Sequence, residues 1–240
     1  MKKHIHILFL IICSNAISQE GNITVKYDLI LDDTKDIYGG MDFKKATLIT
    51  NGKESLYTEK NIDTTIVFAS GDDISFNKSD VIFNYSKDLM SKIIIYKDRY
   101  VGMNFTIKDG NYAIKWTITD NYKKVMGYSC QEATGKFGCR TYKAYFLKEI
   151  PYRDGPYKFD GLPGIILEIL SDDGAVKISA NEIISDRDLL PKPFKESHEF
   201  ISYDQAMKKY QLKFDKITNA ITEEGSSVTI PKKYIECYVE

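Results

Sequence analysis

Two residues of this sequence could carry nucleophilic chemistry together, namely Cys130 and His198. A cysteine nucleophile needs an adjacent base to form its thiolate, and no other pairing of this kind is available once the N-terminal leader described below is removed. His198 stands alone in the segment KESHEF, and an isolated histidine is usually an ordinary surface residue. We therefore predict no catalytic residue. A hydrolase or peptide-processing enzyme that uses Cys130, or a carboxylate near Arg140, is the alternative.

The common motifs of catalytic, cofactor-binding and metal-binding loops do not occur. The sequence contains no G-x-S-x-G, no H-E-x-x-H, no Walker-type glycine-rich loop and no G-x-G-x-x-G. It also lacks C-x-x-C, and the segments SDDGAV and GDDISF do not alternate oxygen ligands as a calcium loop does. The sequence therefore predicts neither a cofactor nor a metal.

The cysteines favour a disulfide bond. Cys130 and Cys139 enclose the segment QEATGKFG, a spacing that suits a bridge across a turn or between neighbouring strands. Closing so short a loop contributes about 2–3 kcal/mol. A bridge between Cys130 and Cys237 is equally compatible with the sequence. We therefore expect one disulfide bond and leave open which of the two pairs forms it.

The segment GPYKFDGLPGIILEIL, residues 155–170, combines tight-turn chemistry with a long apolar run. Glycine frees the backbone angles and proline fixes them, which predicts a structural corner. The corner residues are Gly155, Pro156, Gly161, Leu162, Pro163 and Gly164. The run that follows predicts a central strand covered on both faces. Glu168 interrupts it, and we expect this carboxylate to face solvent at a sheet margin; a buried ion pair with Arg140 is the alternative.

The N-terminus resembles a cleaved export signal. Two lysines precede the apolar run HIHILFLIIC, and Ala16 and Ser18 occupy the −3 and −1 positions of a cleavage site. We predict a signal peptide over residues 1–18 and a single β-rich domain over residues 19–240. Lipidation at Cys13 is not expected, because the isoleucine before it has the wrong shape for a lipobox.

Charge and hydropathy narrow the class of partner. Removing the two leader lysines leaves 31 basic against 34 acidic residues, so the exported chain has no basic excess to hold a phosphate backbone. We therefore predict no nucleic-acid partner. No later run approaches eighteen apolar residues, so no transmembrane segment is expected in the mature chain.

Periodicity predicts the elements. About ten short runs rich in β-branched and aromatic residues alternate with turns, among which Asn51-Gly52, Asp109-Gly110 and Asp173-Gly174 are typical hairpin pairs. Residues 202–221 change to the period of an amphipathic helix, with Ser202 and the glutamine three positions later forming a capping box. The predicted fold is α+β and mostly β: a curved antiparallel sheet of about ten hairpin-connected strands against one long C-terminal helix.

From Trp116 to about Ile169 the chain resembles the GLPGLI family, exported proteins of Bacteroidetes named after that motif. The matching segments are WTITD, GYSCQEAT, FGCRTYKAYF and EIPYRDGPYKFDGLPGIILEI. The motif here ends in Ile165-Ile166, and Cys139 stands where the family more usually has glycine, so the family does not imply a Cys130–Cys139 bridge. The resemblance implies location rather than reaction, with an accessory role beside outer-membrane transport or secretion.

The functional expectation is therefore an exported protein, in the periplasm, on the outer membrane or secreted, that acts as a non-enzymatic binding or accessory module. Its expected partner is an outer-membrane transporter or another envelope protein. The seventeen tyrosines and twelve phenylalanines could line a ligand groove, but strand faces more often use them for packing. A lipid or lipoprotein carrier would require a deep apolar pocket between sheet and helix.

Overall fold

The computed structural model describes residues 21–32, 41–61, 64–67, 73–76, 82–100, 103–185, 191, 199–218 and 235–236. The predicted leader, His198 and Cys237 lie outside these residues. No helix within the described ranges is long and apolar enough to cross a membrane.

The described chain is mostly β-structure, with fourteen strands and one helix. The strands are β1 Ile23–Asp32, β2 Met41–Thr50, β3 Glu54–Asn61, β4 Thr64–Val67, β5 Asp73–Phe76, β6 Ile82–Asp88, β7 Ile93–Tyr100, β8 Met103–Asp109, β9 Thr117–Val125, β10 Tyr128–Phe137, β11 Arg140–Leu147, β12 Ile165–Ser171, β13 Val176–Ser185 and β14 Phe200–Ser202. The helix is α1, Tyr203–Thr218. Alternating burial explains most strands; in β1, Val25, Tyr27 and Leu29 are buried while Lys26 is exposed.

Twelve strands form one curved, unclosed sheet in the order β14-β8-β7-β6-β3-β2-β1-β13-β12-β11-β10-β9. All neighbours are antiparallel except β14 and β8, which are parallel, so the sheet is mixed rather than purely antiparallel. Strands β4 and β5 pair separately as a hairpin. The prediction of a curved, mostly β fold is confirmed, and its purely antiparallel character is wrong.

Two of the three predicted hairpins lie where the turn residues placed them. Gly52 and Gly174 have φ angles of 79° and 77°, values that glycine adopts without strain. The third prediction is wrong: β8 ends at Asp109, but β9 lies at the far edge of the sheet. Residues 110–116 instead form no strand, and among their side chains that of Tyr112 is almost fully covered.

Helix α1 is shorter than predicted, with 16 residues. Its capping box is confirmed: the backbone N–H of Gln205 donates to Ser202 Oγ at 3.2 Å, and the N–H of Ser202 donates to Gln205 Oε1 at 3.0 Å. Ala206 and Tyr210 are fully buried, and the ring of Tyr210 lies 5.8 Å from that of Phe105 in β8. Among the described strands, the helix packs chiefly against β8 and β14, so a few turns suffice to bury its apolar stripe.

We call the side of the sheet that carries the buried core the inner face, and the opposite side the outer face. Inner-face residues include Val25, Leu48, Tyr57, Tyr96 and Ile107, all of which are fully buried. Strand β12 is buried on both faces over most of its length, as its continuous apolar run predicts.

Candidate functional site

The GLPG-containing segment packs against the inner face as a buried loop, residues 154–164. Every residue from Asp154 to Asp160 is buried. Two glycines permit this close approach: a Cβ atom on Gly164 would lie 2.3 Å from the carbonyl oxygen of Leu147, and one on Gly155 would lie 2.7 Å from Cβ of Ile166. Gly161 has a φ of 94°. The predicted corner residues therefore lie between β11 and β12; Gly155, Pro156, Leu162 and Gly164 are buried, whereas Pro163 is exposed.

Lys158 is the central charge of the buried loop. Its Nζ lies 2.9 Å from Asp109 Oδ2 and 2.7 Å from Glu236 Oε1, and it donates to Tyr96 Oη at 3.0 Å. Burial alone would lower the pKa of Lys158, but the carboxylates of Glu236 and Asp109 outweigh it and raise that pKa. The lysine is therefore charged and paired at neutral pH.

The ends of the buried loop carry two further ionic contacts. Lys87 on β6 forms a fully buried ion pair with Asp154 and donates to the carbonyl of Gly155 at 2.7 Å. Asp160 accepts from Tyr112 Oη at 3.0 Å and pairs with Lys92 at 3.3 Å, and burial raises the pKa of its carboxyl. These contacts hold the loop in place, which favours a structural role over a catalytic one.

Glu168 is buried, with 5 % of its surface exposed, so the expectation that it faces solvent is wrong. Lys123 Nζ lies 2.5 Å from Glu168 Oε2, and Ser179 Oγ donates to Oε1 at 3.1 Å. Arg140 instead donates from Nε to Asp173 Oδ2 at 2.8 Å. The strand register explains the correction: Glu168 lies opposite Tyr145, whereas Arg140 begins β11 beside the β12–β13 turn.

On the outer face, Glu132 makes a second side-chain connection to β9, besides the Lys123–Glu168 pair. Its carboxylate accepts from Asn121 Nδ2 at 3.1 Å, Tyr145 Oη at 2.9 Å and Thr119 Oγ1 at 3.3 Å. These hydrogen bonds, led by the one from Asn121, lower the pKa of Glu132. Burial, followed by the Glu132 carboxylate, raises the pKa of Tyr145 to about 12. Together with the Lys123–Glu168 pair, Glu132 fastens β9 to the sheet.

Strand β9 is an open edge. It pairs with β10 on one side, and no described strand pairs with its other side. Seven of its nine residues are exposed, and Tyr122 keeps 58 % of its surface in solvent. Ile118 in β9 and Tyr128 at the start of β10 are also large exposed side chains. Sequence patterns alone did not single out this edge, since the chain order of strands does not give their order in the sheet.

The cysteine predictions are wrong in their pairing. Cys130 is a free, buried thiol, so neither the Cys130–Cys139 nor the Cys130–Cys237 bridge forms. Cys139 is disulfide-bonded to a residue outside the described ranges, and no disulfide bond has both cysteines within them. Burial, assisted by the carboxylates of Glu149 and Glu168, raises the pKa of Cys130 to about 11. A thiol that stays protonated at neutral pH is a poor nucleophile.

The carboxylate near Arg140 is that of Asp173. Burial would raise its pKa, but hydrogen bonds from Ser171 and Arg140 hold the pKa down to about 2. Asp173 is therefore ionised throughout the neutral range and cannot donate a proton there. Neither group named for the hydrolase alternative therefore changes its protonation state in the neutral range, as a general acid–base catalyst would.

Aromatic side chains of the buried loop occupy the inner face, where a carrier would need its pocket. The ring of Tyr157 lies 4.9 Å from Tyr85, and the ring of Phe159 lies 4.9 Å from Tyr142. A cavity of about 280 Å³ lies against β3, β6, β7 and β8, and polar residues such as Glu54, Asp88 and Lys108 line it. Ile93 and Ile95 also line the cavity, and this mixed surface differs from the deep apolar pocket that a lipid carrier requires.

Comparison with known proteins locates the fold. No protein-family model and no curated protein matches the sequence. Two solved structures of PNGF-II are similar: the C2 crystal form has a TM-score of 0.52 at 12 % identity, and the P21 form has 0.54 at 10 %. The matches cover 79 % and 78 % of this chain but 32 % of PNGF-II in each case. The chain is therefore similar in its β-rich fold to a part of PNGF-II, and it spans about a third of that protein's length.

Proposed function

We propose that this chain is an exported, non-enzymatic binding module that receives an extended segment of an envelope protein along strand β9. The observation that carries the proposal is the open, solvent-exposed edge of β9 at one end of the twelve-stranded sheet. An edge strand presents unpaired backbone N–H and C=O groups, which an added strand can satisfy. The predicted leader peptide and the resemblance to the GLPGLI family support export and an envelope location.

Side-chain contacts make the β9 edge rigid before a partner binds. Glu168 holds Lys123, and Glu132 holds Asn121 and Thr119, so three side chains of β9 are fixed on the outer face. A rigid edge lowers the conformational entropy that would be lost when a partner strand docks. The nine residues of β9 include no proline, which would remove a backbone donor.

Side chains on β9 indicate the chemistry of the partner. Tyr122 offers an aromatic surface for an apolar or aromatic cross-strand neighbour. Lys124 is exposed and gives the end of the strand a positive charge beside Lys123, whose own charge Glu168 balances. This charge disfavours pairing with the same edge of a second copy and favours a segment that carries acidic residues. An outer-membrane transporter or another envelope protein with such a segment is the proposed partner.

The likeness to PNGF-II supports a modular role. There, a unit of this fold accounts for 32 % of a longer chain. The unit therefore occurs together with further protein structure, as a binding module does. Fold alone does not assign function, so the proposal depends on the β9 edge rather than on PNGF-II.

Copurification from native envelopes tests the proposal. Affinity-tagged chain should retain one stoichiometric envelope protein, and Tyr122→Asp should reduce its recovery at least tenfold by placing a charge at the docking edge. Met90→Asp is the control, because Met90 is even more exposed and lies in the β6–β7 turn, away from β9. Recovery that is unchanged by Tyr122→Asp, or lost equally with Met90→Asp, would overturn the proposal.

A further inference from the structure

The carboxylate of Glu236 lies in a buried site that one lysine and two tyrosine hydroxyls form, a combination suited to binding carboxylates. Lys158 Nζ lies 2.7 Å from Glu236 Oε1, and Tyr157 Oη donates to the same oxygen. Tyr203 Oη donates to the other carboxylate oxygen, Oε2, at 2.8 Å. Both oxygens are thus bound, one of them by a charge-assisted pair, which is the strong form of such contacts. We call Lys158, Tyr157 and Tyr203 the carboxylate socket.

The carboxylate socket joins two parts of the fold. Tyr157 and Lys158 come from the buried loop, and Tyr203 begins helix α1. The lysine ammonium also lies 4.5 Å from the ring centre of Tyr96 and 4.7 Å from that of Tyr203, so aromatic faces hold it in position. The lysine is fully buried, and this preorganisation distinguishes the site from a surface lysine that meets an acid by chance.

The segment that delivers Glu236 is recognised through its backbone as well. Tyr142 Oη donates to the carbonyl oxygen of Ile235 at 2.8 Å. Gly138 lies so close that a Cβ atom there would be 2.0 Å from the carbonyl oxygen of Glu236. Ile235 and Glu236 are both buried. The protein therefore holds a short stretch of its own C-terminal region as it would hold a peptide.

Charge balance indicates that the socket survives without Glu236. Lys158 keeps a second partner, Asp109, at 2.9 Å, and one lysine with one carboxylate is a neutral pair. Glu236 adds a second negative charge, which the two tyrosine hydroxyls help to hold. Removing it does not strand a buried, unpaired lysine, the change that is most costly in a protein interior.

We propose that the carboxylate socket is a binding site for carboxylate ligands, and that Glu236 is its resident occupant, supplied by the chain itself. The ligand class is a small carboxylate or an acidic side chain on an extended segment. The socket is separate from β9, so the inference does not depend on the proposed function.

Acetate tests the socket, because Glu236→Ala removes the CH₂–COO⁻ group that acetate closely matches. Thermal melting of the full-length variant at neutral pH should begin below that of the wild type and rise saturably with sodium acetate. Sodium chloride at equal ionic strength is the reference salt, and the wild type should respond equally to both. Equal responses of Glu236→Ala to acetate and chloride would overturn the proposal.

Two further variants extend the test, and the second of them remains informative if Glu236→Ala does not fold. Tyr157→Phe/Tyr203→Phe on the Glu236→Ala background keeps the ring shapes but removes both donors, and it should weaken the acetate midpoint at least tenfold. Glu236→Gln keeps the volume of the side chain and removes only its charge; its folding equilibrium constant should fall about tenfold or more. Wild-type stability of Glu236→Gln, or acetate rescue unaffected by loss of both hydroxyls, would contradict a carboxylate site.

Discussion

Glu168 is the only charged side chain of β12, and its contacts connect that central strand to the edge of the sheet. Its carboxylate is buried, whereas its partner Lys123 leaves 43 % of its side chain exposed. Removing one partner or the other should therefore cost unequal amounts of stability, because the lysine can be hydrated without its partner and the buried carboxylate cannot. This asymmetry gives a prediction about which substitution costs more.

Lys123→Met should destabilise the protein by about 1–3 kcal/mol, because it leaves a buried carboxylate with Ser179 as its remaining described partner. Glu168→Gln should cost less, since the amide is neutral and can still accept from Ser179. Urea unfolding measures both changes.

Arg140→Met is the matched comparison for Lys123→Met. Its partner Asp173 is half exposed, and pairs of this kind contribute about 0–1 kcal/mol. A larger loss for Arg140→Met than for Lys123→Met would contradict the assignment of Lys123 as the partner of Glu168.

At the scale of elements, the sequence predicted correctly those turns and caps that depend only on neighbouring residues. The hairpins at Asn51-Gly52 and Asp173-Gly174 and the capping box at Ser202 depend on neighbouring residues, and each was found. Asp109-Gly110 carries the same turn chemistry but forms no hairpin. Its aspartate is instead buried against Lys158, a residue 49 positions away that a turn pattern does not register.

The candidate site was harder to predict for the same reason. Glu168 and Lys123 are 45 positions apart, and their meeting requires the strand order β12-β11-β10-β9 together with bulges in two of those pairings. The corner residues of the buried loop were recognised from their turn chemistry. Their burial was not predicted, because glycine- and proline-rich segments usually form surface loops.

The tip of the β10–β11 hairpin gives a prediction about the cysteines. Under denaturing, non-reducing conditions, alkylation should label Cys130, and Cys139 should be labelled only after reduction. Because Gly138 contacts the backbone of Glu236 and each precedes a cysteine, we expect Cys237 to be the partner of Cys139. Peptide mapping by mass spectrometry checks both statements; a Cys130-containing disulfide peptide would contradict them.

At the scale of the whole molecule, one sheet combines a filled inner face with an exposed end. The buried loop and its ionic contacts stabilise the inner face, and the outer-face carboxylates of Glu132 and Glu168 hold β9 in place. One continuous segment, residues 154–171, therefore supplies the loop, the central strand and the carboxylate that fixes the edge. In the proposed function this arrangement serves recognition of a partner at β9 rather than enclosure of a ligand.

Site-specific photocrosslinking in the native envelope tests this central claim most directly. A photoreactive phenylalanine analogue at Tyr122 should give one dominant adduct with an envelope protein, and its crosslinked peptide should contain acidic residues. The same analogue at Met90 should give no such adduct, although Met90 is the more exposed position. Adducts from Met90 with none from Tyr122 would contradict partner binding along β9.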